Sequence, residues 1–236
     1  MVFKTHPSPP QETTVQIRSV TIVVPDPQAT AAFFEQSLDL PATPHEDNLE
    51  IRLGTSTLVL QQGKADSGGY YHLAFDITEN RIDEARGLLR QRTDILPAGD
   101  DGIVTASPSW DAHSLYFNAP GNLNLELIAR HRLPNAISTD FAFTDIQNIS
   151  EVGIPVTNPI DAVTSLQHTF GLAPFGEPSE TFAPVGSDTG LLILVKSGRI
   201  WFPTNDQATT NRPLKIGLSG VDGSLTLGEH CTIIGV

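Results

Sequence analysis

The feature that most limits what this chain can fold into is an internal repetition. Residues 15–24 read as a strand that ends at Pro25-Asp26-Pro27, where Asp26 suits a helix N-cap and Pro27 the first helical position. Ala31, Phe34 and Leu38 follow at helical spacing. Moving 132 positions along the chain brings Val152, Ile154, Val156, Asn158, Pro159, Phe170 and Leu172 onto Val20, Ile22, Val24, Asp26, Pro27, Leu38 and Leu40. The capped proline returns along with the apolar pattern, so the match marks a repeated structural unit.

After its helix, the first unit continues with apolar runs at 49–53 and 57–61, joined by Gly54-Thr55-Ser56. The same grammar restarts at His72. A strand at 72–77 is followed by Asn80 as a cap, by Asp83 and Glu84 in the first turn, and by Ile82, Ala85, Leu88 and Leu89 on one helical face. Strands are expected near 102–106, 114–118 and 123–129. A third copy begins at Glu151, with strands at 191–195 and 199–202, and a segment at 214–218 opens a fourth, truncated unit. Residues 1–14 read as a polar, proline-rich disordered tail, and 132–148 as a linker.

Composition narrows the function classes. A net charge of -13 argues against nucleic acid or an anionic membrane as partner. The apolar runs are too short to span a bilayer, and the N-terminus shows no secretory signal. Cys231 is the single cysteine, which excludes an internal disulfide and a cysteine-rich zinc site and suits the cytoplasm. A small-molecule or protein partner is left.

Two residues carry the chemistry. His72 opens the apolar run His72-Leu73-Ala74-Phe75-Asp76-Ile77, and Glu126 lies within Leu123-Asn124-Leu125-Glu126-Leu127-Ile128. A carboxylate among leucines is costly to bury unless a cation or a donor compensates it. An imidazole and such a carboxylate make half of a metal site; a hydrogen-bonded pair without an ion is the other reading. His113 precedes the strand at 114–118 and is either a third donor or a surface histidine. Alternation puts it on the face opposite Tyr116. Trp110-Asp111 and Tyr70-Tyr71 either line a pocket mouth or simply pack, and packing is the expectation for Trp201, on a strand at 199–202.

The stretch from Val24-Pro25-Asp26 through Ala32-Phe33-Phe34 to Leu38-Asp39-Leu40, with Tyr116-Phe117-Asn118-Ala119-Pro120-Gly121-Asn122-Leu123-Asn124-Leu125-Glu126, resembles motifs of the vicinal oxygen chelate superfamily. That superfamily includes glyoxalase I, extradiol ring-cleaving dioxygenases, fosfomycin-resistance enzymes and bleomycin-binding proteins. The resemblance implies an α+β fold of repeated βαβββ units forming an open, mostly antiparallel barrel, with 15–131 as the paired domain and 149–236 as a smaller, truncated third unit. It also implies metal-ligand slots at Ser19 and Val59 in the first unit and at His72 and Glu126 in the second. Those two would hold a divalent ion (Fe, Mn, Zn or Ni) that polarises vicinal oxygens of a substrate. Tyr116, spaced from Glu126 like the active-site tyrosine of ring-cleaving dioxygenases, or His113 would assist proton transfer. Glu151 occupies the first-strand slot of the third unit, where an ion pair with Lys215 is expected. The alternative is a metal-free, homodimeric binding protein of the bleomycin-resistance type.

Overall fold

The computed structural model describes residues 15–64 and 68–236; the tail expected over 1–14 lies outside the described residues. The chain begins with β1 (Gln16–Val24), α1 (Pro27–Leu38), β2 (Ala42–His45), β3 (Asn48–Leu53) and β4 (Ser56–Gln62). Next come β5 (Tyr71–Ile77), α2 (Ile82–Leu89), β6 (Val104–Thr105), β7 (Ala112–Ala119) and β8 (Leu123–Arg130). The third stretch holds β9 (Asn148–Val156), α3 (Pro159–Phe170), β10 (Phe182–Ser187) and β11 (Gly190–Lys196). It is followed by β12 (Leu214–Ser219), β13 (Ser224–Leu227) and β14 (Cys231–Gly235).

Local chemistry sets the helix starts. The Asp26 carboxylate accepts from the Ala29 N–H at 2.9 Å, and the Asn158 amide oxygen accepts from the Ile160 N–H at 3.0 Å, each cap preceding a proline that has no N–H to satisfy. Both helices stop on a left-handed residue, Asp39 and Gly171. Helix α2 differs from expectation. Its cap position is Arg81, while Asn80 exchanges hydrogen bonds with the backbone of Ile137.

All the strands belong to one open, mixed sheet. Among the described residues, four ladders are parallel and tie the first strand of a stretch to its last: β1 to β4, β5 to β8, β9 to β11 and β12 to β14. The antiparallel ladders between stretches depart from the sequence expectation. β5 runs against β9, and β1 runs against β12, while no ladder joins β1 to β5. Among the described residues, the pair Ile17–Ile149 alone links β1 to β9. The second and third stretches therefore share a sheet face, and the expected pairing of the first two within 15–131 is not what the hydrogen bonds make. The physical reason lies in the connection at 131–147. It packs Phe141, Phe143 and Ile146 into the core and delivers β9 to the free edge of β5.

Strand alternation then sorts the side chains. Leu73, Phe75, Ile77, Leu115, Phe117, Leu125, Leu127, Val152 and Ile154 join the main core under the helices. Phe75 meets Phe34 of α1 at 6.1 Å between ring centroids, and both are fully buried. The opposite face of the same strands carries His72, Asp76, Asn124, Glu126, Arg130 and Glu151, all buried, and this polar inner face is where chemistry can be built. Replacing Phe75 by alanine empties the contact between α1 and β5. We predict a loss of about 3–5 kcal/mol in urea unfolding, and a loss under about 1 kcal/mol would show that this layer does not hold the fold.

Candidate functional site

Three ladders converge on one point. Ala74 of β5 lies opposite both Glu126 of β8 and Glu151 of β9, and Tyr116 of β7 lies opposite Glu126. Paired residues point to the same face, so His72, two residues along β5 from Ala74 and therefore on its face, reaches the two carboxylates. His72, Glu126 and Glu151 each offer a ligand-capable atom, and these lie within 4.8 Å of one another. His72 Nε2 is 3.5 Å from Glu126 Oε2. They form the floor of a cavity of about 360 Å³ whose walls include Trp110, Tyr116, Phe182, Trp201 and Phe202. Gly153 of β9 leaves the space for one of these walls. A Cβ there would stand 2.4 Å from the Trp201 ring and 3.1 Å from His72 Cβ, so only glycine lets the indole lie against the imidazole at 5.0 Å.

The orientation of His72 is set by a chain of amides. His72 Nδ1 meets Asn124 Oδ1 at 3.1 Å, the Asn124 amide donates to Gln207 Oε1 at 2.9 Å, and the Gln207 amide donates to Asn118 Oδ1 at 2.9 Å. Asn124 presents an acceptor, so the proton sits on Nδ1 and the Nε2 lone pair faces the carboxylates. Gln207 comes from the long connection between β11 and β12. That connection also supplies Trp201, whose indole N–H donates to Tyr70 O at 2.9 Å.

Charge is unevenly balanced here. Arg130 has no exposed surface, and its guanidinium lies 3.6 Å from Asp76, 3.4 Å from Asp188 and in direct contact with Glu151. It also donates to Ser150 Oγ at 3.0 Å and lies 5.7 Å from the Trp110 ring centre. One cation thus serves several carboxylates, and Glu126 is left with hydrogen bonds from the Ser114 and Tyr116 hydroxyls. Burial, reinforced by the neighbouring Glu151, pushes the Glu126 carboxyl up to about 8. Burial pushes Asp76 up to about 7 and lowers His72. The Tyr116 hydroxyl is raised well above its ordinary value by burial and by the adjacent Glu126.

The remaining sequence candidates fall elsewhere. His113 shares the core-side face of β7, where its Nδ1 lies 2.6 Å from His131 Nε2, and His131 in turn contacts Glu79 at 3.1 Å. It does not reach the cavity. Ser19 and Val59 lie on β1 and β4, in the half completed by β12, and share no ladder with β5. The expected Glu151–Lys215 ion pair does not form: Lys215 is exposed on β12 opposite Thr21, and Glu151 is held by Arg130. Residues 199–202 form no strand beyond one bridge from Ile200 to Ala208, and Trp201 both packs and lines the cavity. Sequence reasoning missed Asn124, Arg130 and Gln207; polar residues inside an apolar strand were the available signal for the first two.

No family model and no curated relative matches the chain. Among solved structures, a Bacillus subtilis protein described as a candidate dioxygenase matches over 88 % of this chain and 71 % of its own, with a TM-score of 0.58 and 13 % identity. Glyoxalase I from Zea mays matches over 87 % of this chain and 75 % of its own, with a TM-score of 0.54 and 14 % identity. A point variant of that enzyme matches over 94 % of each chain, with a TM-score of 0.58 and 11 % identity. The chain has the fold of the vicinal oxygen chelate superfamily, to which these structures belong. At such identities the likeness is one of fold.

Linkage gives the site a pH signature in chelator-treated protein. Glu126 and Asp76 have ordinary values of 4.5 and 3.8 and folded values of about 8 and about 7. Their folded pKa values are raised, so the stability they contribute is complete below the ordinary values and is lost as pH climbs through 7 and 8. The urea midpoint is predicted to fall from about pH 5 to about pH 8, and Glu126→Gln should flatten that slope in part. A midpoint that rises over this range, or a slope untouched by the substitution, would contradict the electrostatics described.

Proposed function

We propose that the chain is an enzyme that acts on a small molecule with a divalent metal ion held by His72, Glu126 and Glu151. The convergence of three ligand-capable atoms within 4.8 Å at the floor of a cavity carries this reading. The residues fit such an ion. The imidazole offers an oriented Nε2 lone pair, and the excess of buried carboxylate over Arg130 is the charge a divalent cation offsets. One nitrogen and two carboxylates favour Mn2+ or Fe2+ among the candidate metals. The similarity of fold to glyoxalase I and to a candidate dioxygenase supports the same class of reaction.

When bound, the ion supplies Lewis-acid polarisation of substrate oxygens. The chain's own groups do the rest. Tyr116 keeps its proton and stands beside Glu126, so its hydroxyl is placed to donate to an oxygen at the floor. Arg130 occupies one oxygen of Glu151 and fixes that carboxylate's direction. Trp201 covers His72 and excludes water from that side. His113, on the other face, takes no part.

The test is metal analysis of protein purified without chelator. The parent should carry a single ion per chain, and His72→Ala, Glu126→Ala and Glu151→Ala should each lose it. Unchanged metal content in all three would end this reading, and absence of metal from the parent would favour a metal-free binding protein. Gln207→Leu keeps every ligand but releases the amide chain behind His72. Its Mn2+ affinity should fall about 10–100-fold, and an unaltered affinity would show that the chain does not orient the imidazole.

A further inference from the structure

Arg130 touches Glu151, so whatever fixes Arg130 acts on the floor of the cavity. Its three nitrogens have separate tasks. Nη2 contacts Glu151 Oε1, Nε donates to Ser150 Oγ at 3.0 Å, and Nη1 donates to Asp188 Oδ1 at 3.4 Å. A guanidinium is a planar fork that prefers to hold a carboxylate through two parallel hydrogen bonds. Here the nitrogens on either side of Nη2 are both taken, which leaves Glu151 a single donor. Ser150 is the chain neighbour of Glu151 on β9, whereas Asp188 comes from the turn between β10 and β11.

Asp188 is itself held in place. Arg132 donates to its two oxygens from Nε and Nη2, each at 2.9 Å. The third nitrogen of Arg132 donates to Ser109 O at 3.0 Å, and its guanidinium lies 5.5 Å over the Phe175 ring. The turn is also tied down, because the Thr189 hydroxyl donates to Val15 O at 2.9 Å. A Cβ on Gly190 would stand 2.8 Å from that same oxygen, so glycine lets the turn seat against the chain just before β1. Asp188 and Arg132 line a second cavity of about 630 Å³, which shares Trp110 and Phe182 with the first. The row Arg132, Asp188, Arg130 and Glu151 thus runs from that open cavity to the buried floor. Arg132 neutralises Asp188, so what the pair brings to the site is direction rather than net charge.

Resting on the metal reading of the floor given above, we propose that Asp188 is a positioning residue that keeps Glu151 available to the ion. By occupying one arm of the Arg130 fork, it restricts Arg130 to one oxygen of Glu151 and leaves the other oxygen for the ion. Without Asp188, Nη1 is released and the fork turns to take both oxygens of Glu151. Arginine then competes with the ion for the same carboxylate.

Two measurements on the full chain test this. The first follows the Arg130 guanidinium by NMR of chelator-treated protein labelled with 15N-arginine. Its Nη protons should be separately resolved in wild type and should shift on Asp188→Ala as the fork changes partners. The second is Mn2+ titration. Affinity should fall about tenfold in Asp188→Ala, and Asp188→Asn, which keeps one acceptor oxygen, should fall between that variant and wild type. Glu177→Gln removes a charge from the same second cavity without touching Arg130 and should leave Mn2+ affinity unchanged. Arg130 signals that do not move in Asp188→Ala overturn the proposal. So does wild-type Mn2+ affinity in that variant, or an equal loss in Glu177→Gln. Failure of the metal reading shows separately, as no Mn2+ binding by wild type, and the Arg130 signals then still decide whether Asp188 holds the fork.

Discussion

Arg130 is the cation around which the inner face of the sheet is arranged. It has no exposed surface, and it meets Asp76, Glu151 and Asp188 at once. An unpaired charge in such a place is untenable, yet a single guanidinium cannot neutralise every acid on this face. Burial, reinforced by the neighbouring Glu151, pushes Glu126 up to about 8, and the nearby Ser114 and Tyr116 hydroxyls offset that only in part. A protein selected only for stability would replace such a cluster with well-packed apolar residues. Its retention at the bottom of a cavity is the physical reason to read the cluster as a site.

Topology makes that cluster possible. The antiparallel ladder between β5 and β9 brings Glu151 beside Ala74, and the parallel ladder between β5 and β8 brings Glu126 to the same step. The connection between β11 and β12 then closes over the result. It supplies Trp201 against His72, Gln207 to the amide chain, and Arg199 to the wall. Glycine at position 153 is what allows this covering to come so close. The amide that orients His72 and the indole that covers it thus come from one segment, between β11 and β12.

Much of this was legible in the sequence, and the rest was hidden for identifiable reasons. Proline and cap residues at 26–27 and 158–159 announced two helices that the structure contains. The apolar runs holding His72 and Glu126 correspond to β5 and β8, side by side. Glu151 lies on the first strand of the third stretch, as expected, but pairs with Arg130 and not with Lys215. Strand periodicity says which face a residue takes, not which strand lies next to it, and nothing local told β5 to choose β9 over β1. His113 shows the reverse case, since alternation alone separated it from Tyr116 and the fold decided which of the two faced inward. Gln207 lies in an irregular connection, where no periodicity exists to read, and its role depends wholly on contacts distant in sequence.

The central claim is that His72, Glu126 and Glu151 bind one divalent ion together. Anomalous scattering from crystals of the full chain grown with Mn2+ tests it most directly. A single anomalous peak within bonding distance of His72 Nε2 and one oxygen of each glutamate is the predicted result. A map with no peak at that point, or with its strongest peak beside His113 and His131, would contradict the account.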